Sequence, residues 1–211
     1  LGGYVARELG RRGYPVKAVV RDASRLADSG IAVDETLEAE VTRPDTLRHC
    51  CDGVGAVIST VGITRQKDGQ TYMDVDYRGN LNLLKEAEQS QVAKFIYVSA
   101  LNADKLQHLK ICAAKEKFVA RLQTSPLQSV VVRPNGFFSD MTEIYKMAKR
   151  GRVYYFGTGE LKGNPIHGAD LAEVCVDSIQ GSETEIPVGG PEVLTQNQIA
   201  RIAYDALDKP S

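Results

Sequence analysis

Ser99 and Lys115 are two side chains whose types could together stabilise negative charge on a reacting oxygen. A serine hydroxyl can donate a hydrogen bond to a substrate oxygen, and a lysine ammonium lowers the electrostatic cost of developing charge. Ser99 follows residues 95–98, an apolar run typical of a strand buried on both faces of a parallel sheet. Lys115 lies in a helical pattern over residues 109–122.

The predicted elements would place both residues at one crevice, because ligands of open α/β sheets bind outside the carboxyl ends of the strands. Ser99 lies at such an end, and Lys115 lies on the helix that follows. A plainer alternative is that Ser99 ends a strand and Lys115 is a solvated helix lysine.

This arrangement resembles the short-chain dehydrogenases/reductases, which carry a serine after this strand and Tyr-x-x-x-Lys on the helix. Lys115 fits the lysine position, whereas Ile111 stands at the tyrosine position and has no ionisable group. The chain therefore resembles the atypical branch of that family, the NmrA-like NAD(P)-binding proteins. The resemblance implies that Ser99 and Lys115 are the catalytic positions. In the segment from Asp76 to Asn80, it implies that the asparagine helps to order the crevice.

The first residues resemble the second half of a dinucleotide-binding βαβ unit, with a helix from Leu1 followed by a strand over residues 15–21. In the resembling family a strand and a glycine-rich turn come first, and Gly2 would be the last glycine of that turn. We therefore expect the sequence to be clipped at its N-terminus, and we expect such a form to bind dinucleotide poorly.

Arg21 at the end of this strand favours NADP, with NAD as second choice. An acidic residue here would bind the adenine ribose hydroxyls, whereas an arginine suits a 2′-phosphate. Arg25 could add a second cation, and Asp22 could cap the next helix. The alternative is that both arginines are ordinary surface residues.

Further cofactor positions follow from small-residue turns at other predicted strand ends and from the resemblance. The segment after residues 127–133 resembles the family's nicotinamide-side loop, and Pro134 is predicted to end the strand ladder there. The polar segment over residues 63–70 is either a solvated linker or a flap. The cofactor positions are Val41, Ser59, Thr60, Val61, Gly62, Pro134, Asn135 and Phe137.

The C-terminal third contains two recognisable helix starts. Thr195 with Gln198 forms a capping-box pattern at the start of the last helix. Asp170 is expected to cap the start of the preceding helix. His167 could act as a pH-sensitive acid, although a hydrogen-bonded structural histidine is the more favoured interpretation.

Bulk properties exclude several classes. The net charge of −1 gives no electrostatic reason to bind nucleic acid, and no apolar run is long enough to span a bilayer. The four cysteines have no metal-ligand or redox spacing, which indicates no metal site and a cytoplasmic or other reducing compartment.

The sequence thus predicts a doubly wound α/β fold, with a parallel Rossmann-type sheet and a small C-terminal α/β lobe. Residues 1–211 would form one NAD(P)-binding domain, with residues 135–211 supplying most of the substrate lobe. The predicted function is an NADPH-dependent reductase of a small apolar or quinone-like molecule, which can take its proton from water. The alternative is a non-catalytic NADP-binding redox sensor or assembly factor, for which a protein partner is possible.

Overall fold

A computed structural model describes residues 1–64, 66, 69–155 and 157–209. The helices are α1 Gly2–Arg11, α2 Ala23–Asp28, α3 Asn80–Gln89, α4 Lys110–Leu122, α5 Thr142–Lys149, α6 Gly168–Asp177 and α7 Gln196–Asp205. The strands are β1 Lys17–Val20, β2 Glu35–Glu38, β3 Ala56–Ser59, β4 Lys94–Val98, β5 Gln128–Pro134, β6 Gly136–Phe137, β7 Lys162–Gly163, β8 Pro165–Ile166, β9 Glu185–Val188 and β10 Leu194–Thr195.

The main sheet has four parallel strands in the order β3-β4-β5-β9. All five residues of β4 are buried, as its continuous apolar sequence predicts for a strand covered on both faces. Because β4 lies between two other strands, the chain after it emerges at the carboxyl edge of the sheet, where Ser99 begins the next segment. The α/β fold and the parallel sheet are confirmed.

Two apolar cores flank this sheet, because successive residues of a strand point to opposite faces. Phe95 and Tyr97 of β4 pack with α3 and α4 on one face. Ile96 and Val98 pack with α1 and α6 on the other face. The main sheet is thus the middle layer of three, and its carboxyl edge stays open between the helical layers.

β1 and β2 form a separate parallel pair that is not hydrogen-bonded to the main sheet. Residues of β1 and of β3, both edge strands, line one cavity of about 1260 Å³. The side chains that line this cavity are largely apolar and include those of Val19, Val57 and Ile58.

The connection between β3 and β4 differs from a simple α-helix. A π-helical segment, Met73–Gly79, leads directly into α3. Before it, Ile63 and Thr64 have no regular structure, and residues 65, 67 and 68 of the predicted linker or flap lie outside the described residues. Single π-turns inside helices are frequent at functional sites.

Three local predictions in the second half have different outcomes. The capping box at Thr195 is confirmed, since its side chain accepts from the backbone N–H of Gln198 and the Gln198 side chain bonds back. The prediction that Asp170 caps α6 is wrong, because the helix begins earlier and His167 Nδ1 accepts from the backbone N–H of Ala169. The prediction that Pro134 ends the ladder is confirmed, since β5 ends at Pro134 and the last pair of its ladder joins Pro134 to Val188.

Candidate dinucleotide site

The turn after β3 is held in place by one buried asparagine. Asn80, which is fully buried, accepts a hydrogen bond from the hydroxyl of Ser59 through Oδ1. Its Nδ2 donates to the carbonyls of Val61, at 3.3 Å, and of Asp76, at 2.9 Å. The small-residue turn predicted for the cofactor is therefore fixed to the π-helical segment, and the ordering role implied for the asparagine agrees with these contacts.

Lys115 faces this turn and pairs with Asp76. The Lys115 ammonium lies 3.0 Å from Asp76 Oδ1, and the two side chains are 12% and 0% exposed. The ammonium also lies 5.5 Å from the centre of the Tyr97 ring, within cation–π range. The backbone N–H of Ile63 donates to the second Asp76 oxygen at 3.2 Å. Lys115 is therefore not a solvated helix lysine.

Gly62 makes room for this pair. A Cβ placed on Gly62 would lie 2.7 Å from Asp76 Oδ1 and 3.1 Å from Lys115 Nζ. Any side chain there would push the two charges apart, so the bare backbone of the turn is what lets the ion pair form against it.

Ser99 belongs to a different network. Its hydroxyl donates to Glu116 Oε1 at 3.2 Å, and the same carboxylate receives two bonds from the Arg133 guanidinium, at 2.7 and 3.1 Å. The Glu116 carboxylate raises the pKa of Arg133. No hydrogen bond joins Ser99 to Lys115 in the part of the chain that is described. Their common catalytic role stays a prediction.

The position that a catalytic tyrosine would occupy is half-buried Ile111. The nearest aromatic hydroxyl on the sheet belongs to Tyr97, which is fully buried and has no hydrogen-bond partner among the described residues. Burial raises the pKa of Tyr97 well above its usual range. The Tyr97 ring packs edge-on against Phe118.

Five predicted cofactor residues line the cavity between β1 and β3: Gly2, Val41, Ser59, Thr60 and Val61. Gly2 opens α1, and a Cβ on it would lie 3.2 Å from the Thr60 hydroxyl. No side chain caps α1. The first N–H groups of a helix have no partners within it and attract anions such as a pyrophosphate.

Arg21 follows β1 directly and is exposed. It has no ion pair within the described ranges, so its guanidinium is available to an anionic ligand. Asp22 caps α2 through a bond from the backbone N–H of Arg25, which agrees with the predicted cap. The choice between NADP and NAD stays a prediction.

The remaining positions lie around β5 and its extension. The carbonyl of Pro134 and the N–H of Asn135 bond to backbone groups. Phe137 is half-buried and pairs with Ile166 in the short β6–β8 sheet, whereas its neighbour Phe138 is 43% exposed. Val41 is held by Asn82, whose side chain donates to the Val41 carbonyl at 2.9 Å.

The sequence interpretation missed Asp76 and Glu116 as site residues. Asp76 lay inside the segment that carried the resemblance, but the ordering role went to Asn80 alone. Both missed residues are carboxylates that pair with a cation from a distant element, and only the one at position 76 contacts the turn after β3. An acidic residue in an otherwise apolar helix face was the available signal.

Other site types find little support in the structure. Within residues 1–64, 66, 69–155 and 157–209, no three His, Cys, Asp or Glu side chains are grouped so as to hold a metal ion. Across the same residues, no helix is both long enough and apolar enough to cross a bilayer. The four cysteines are free and buried, and burial raises the pKa of Cys175 to about 12.

Two solved structures with a similar fold contain bound nucleotides. The NADPH-dependent quinone oxidoreductase QOR2 of Escherichia coli, solved with NADPH, superposes with a TM-score of 0.80 at 20% identity, covering 99% of this chain and 72% of that one. The Bordetella bronchiseptica enzyme WbmG, solved with NAD and UDP, gives a TM-score of 0.80 at 14% identity, covering 99% and 75%. At these identities the likeness concerns the fold alone.

Sequence relatives include a chloroplastic divinyl chlorophyllide a 8-vinyl-reductase of Oryza sativa subsp. indica, 31% identical over 90% of this chain and 52% of its own length. The photosystem II assembly factor Ycf39 of Trieres chinensis is 28% identical over 88% and 58%. The chain thus spans little more than half the length of these relatives. Residues 1–182 match the sequence model of the NAD(P)H-binding family, which agrees with the parallel α/β fold and the atypical short-chain-reductase resemblance. The chain belongs to this NAD(P)H-binding family.

Proposed function

We propose that this protein is an NADPH-dependent reductase of a small apolar or quinone-like molecule. The observation that carries the proposal is the Lys115 ammonium, held 3.0 Å from buried Asp76 beside the Gly62 turn. An ammonium has three donors, and Asp76 is its only hydrogen-bonding or ionic partner among the described residues. The other donors are free for the ribose hydroxyls of a dinucleotide.

The residues present fit such a ligand. Gly2 and Thr60 approach each other at the start of α1, where a pyrophosphate would find free backbone N–H groups. Arg21 would bind a 2′-phosphate with a charge-assisted bond. A bound nicotinamide supplies the hydride, and the protein supplies position and charge.

The substrate class follows from what the site lacks. Ile111 cannot give or take a proton. Tyr97 is fully buried, and burial raises its pKa well above the usual range. A substrate whose reduction needs an enzyme acid is therefore disfavoured, whereas a quinone can take its proton from water. Lys115 would stabilise negative charge that develops on the acceptor, and Ser99 would donate a hydrogen bond to it only after releasing Glu116.

The test is a titration with NADPH and NADH of a version that carries the N-terminal strand and glycine-rich turn expected from the sequence, read by calorimetry. It is followed by cofactor oxidation against a panel of quinones and aldehydes. We expect NADPH to bind, quinones to be reduced and aldehydes to be reduced slowly or not at all. Aldehyde reduction as fast as quinone reduction would show that a proton donor exists elsewhere. Binding of neither cofactor would rule out the reductase.

A second candidate is a dinucleotide-binding assembly factor or redox sensor without turnover. Ile111 at the tyrosine position and the Ser99 hydroxyl bound to Glu116 favour it, because both leave the site without a ready hydroxyl donor. The photosystem II assembly factors among its relatives also support this candidate. Tight NADPH binding with no oxidation against any acceptor would select it over the reductase.

A further inference from the structure

We propose that Asp76 is a positioning residue: it holds the Lys115 ammonium at the Gly62 turn in the orientation that a dinucleotide requires. The role of Lys115 toward the dinucleotide rests on the proposed function. The ionic contact between Asp76 and Lys115 does not rest on the proposed function. The contact and the role of Lys115 toward the dinucleotide can therefore be tested separately.

The contacts of Asp76 are divided between the two parts of the site. One oxygen lies 3.0 Å from Lys115 Nζ, and the other accepts from the backbone N–H of Ile63. A carboxylate that is fully buried needs such partners, because an unpaired buried charge is very unfavourable. Asp76 therefore ties the lysine of α4 to the turn that follows β3.

The π-helical segment fixes where Asp76 can reach. The Asp76 carbonyl accepts from Asn80 Nδ2 at 2.9 Å, and the same amide bonds the Val61 carbonyl. Both the backbone and the side chain of Asp76 are thus attached to the turn. A lysine has a flexible stem, so a fixed anion is what gives its ammonium one position.

Gly62 lies against the Asp76–Lys115 ion pair on the side of the turn. Its missing Cβ is what allows Asp76 Oδ1 and Lys115 Nζ to lie against the turn. The Tyr97 ring lies near the ammonium on the sheet side. The Lys115 side chain is 12% exposed, so it is largely, but not fully, enclosed by the protein.

The first experiment needs no cofactor. It measures acylation of lysine amines by an N-hydroxysuccinimide ester, by mass spectrometry, in the unaltered chain and in Asp76→Asn. The matched control is Asp74→Asn, on the same π-helical segment, where Asp74 pairs with Arg78. Exposed Lys110, on the same helix as Lys115, is the internal reference.

We expect Lys115 to be labelled about fivefold faster or more in Asp76→Asn, the scale of losing one close ionic partner. In Asp74→Asn the change should stay within about twofold. An unchanged rate for Lys115 in folded Asp76→Asn would overturn the proposal.

A second variant guards against misfolding of the first. Gly62→Ala keeps both charges and inserts a methyl group between them, because the new Cβ would meet both partners. It too should accelerate labelling of Lys115. If Asp76→Asn does not fold and Gly62→Ala leaves the rate unchanged, Asp76 does not hold the lysine and the proposal fails.

The second experiment is a double-mutant cycle of NADPH affinity over Asp76→Asn, Lys115→Met and the double variant. Asp76→Asn should weaken binding about tenfold alone and less than about twofold when Lys115 is already methionine. Equal losses in both backgrounds would show that Asp76 acts independently of Lys115. If the chain that carries the expected N-terminal strand and turn binds neither NADPH nor NADH, the proposed function fails, and the labelling result still decides whether Asp76 holds the lysine.

Discussion

Lys115 and Glu116 are neighbours on α4, yet they belong to ion pairs of opposite character. Glu116 receives two bonds from Arg133 and one from Ser99, and Arg133 also lies 3.0 Å from Glu185. Among the residues that the structure describes, Asp76 is the one ionic partner of Lys115, whose ammonium keeps donor capacity beside the Gly62 turn. The Glu116 carboxylate thus receives three hydrogen bonds from the protein, whereas the Lys115 ammonium has donors that a ligand could use. We therefore propose that unused hydrogen-bonding capacity, rather than burial of a charge alone, favours Lys115 as a ligand-binding residue.

The largest expected effect comes from breaking the ion pair between Arg133 and Glu116. Arg133→Met would leave the Glu116 carboxylate, about 10% exposed, without its cation. Removing one partner of a buried pair typically destabilises a protein by about 3–5 kcal/mol. The measurement is the free energy of unfolding by urea denaturation.

The control for that variant is Arg48→Met, which breaks an exposed pair with Asp45 and should change stability by less than about 1 kcal/mol. Similar losses in the two variants would mean that the Arg133 network contributes no more than a surface contact.

The next effect is on ligand binding. Lys115→Met should weaken NADPH binding by about 1.5–3 kcal/mol, roughly tenfold or more, because a charge-assisted bond to the ligand is lost. Isothermal calorimetry measures it, with exposed Lys117→Met on the same helix as control. If affinity stays the same in Lys115→Met, the ammonium does not contact the dinucleotide, and the contrast between the two pairs has no functional meaning.

Arg21 extends the comparison to a cation on the surface. Arg21→Glu removes a phosphate partner and adds repulsion, so the preference for NADPH over NADH should fall about tenfold, the value of one charge-assisted bond. Affinities for both cofactors are needed, because their ratio cancels general damage. A ratio that moves by less than twofold would assign Arg21 to the ordinary surface.

The smallest effect is expected at Ser99. The Ser99 hydroxyl already donates a hydrogen bond to Glu116. Ser99→Ala should therefore cost about 0.5–1.5 kcal/mol of stability and leave NADPH affinity within twofold. Urea denaturation and calorimetry check both values. A fall in quinone reduction larger than the one Lys115→Met causes would show that the hydroxyl leaves Glu116 during turnover and serves the substrate.

Much of the fold was predictable because its determinants are local. The apolar run of β4 is long enough for a strand, and burial on both faces needs no further information. The capping box at Thr195 uses residues three positions apart. The cap of α6 was not predictable from residue preference, since His167 and Asp170 both lie near the start and only the backbone decides which precedes the first helical turn.

The sequence by itself determined that Lys115 would lie on the helix after β4 and that small residues would follow β3. Those positions depend on periodicity and on chain order. Only the tertiary structure decided which charges meet, because Asp76, Glu116 and Arg133 come from three elements whose relative placement is set by the packing of two cores. The Ser99 hydroxyl donates to Glu116 for the same reason. A hydroxyl bonds to a strong acceptor within reach, and the packing of the elements places the Glu116 carboxylate there.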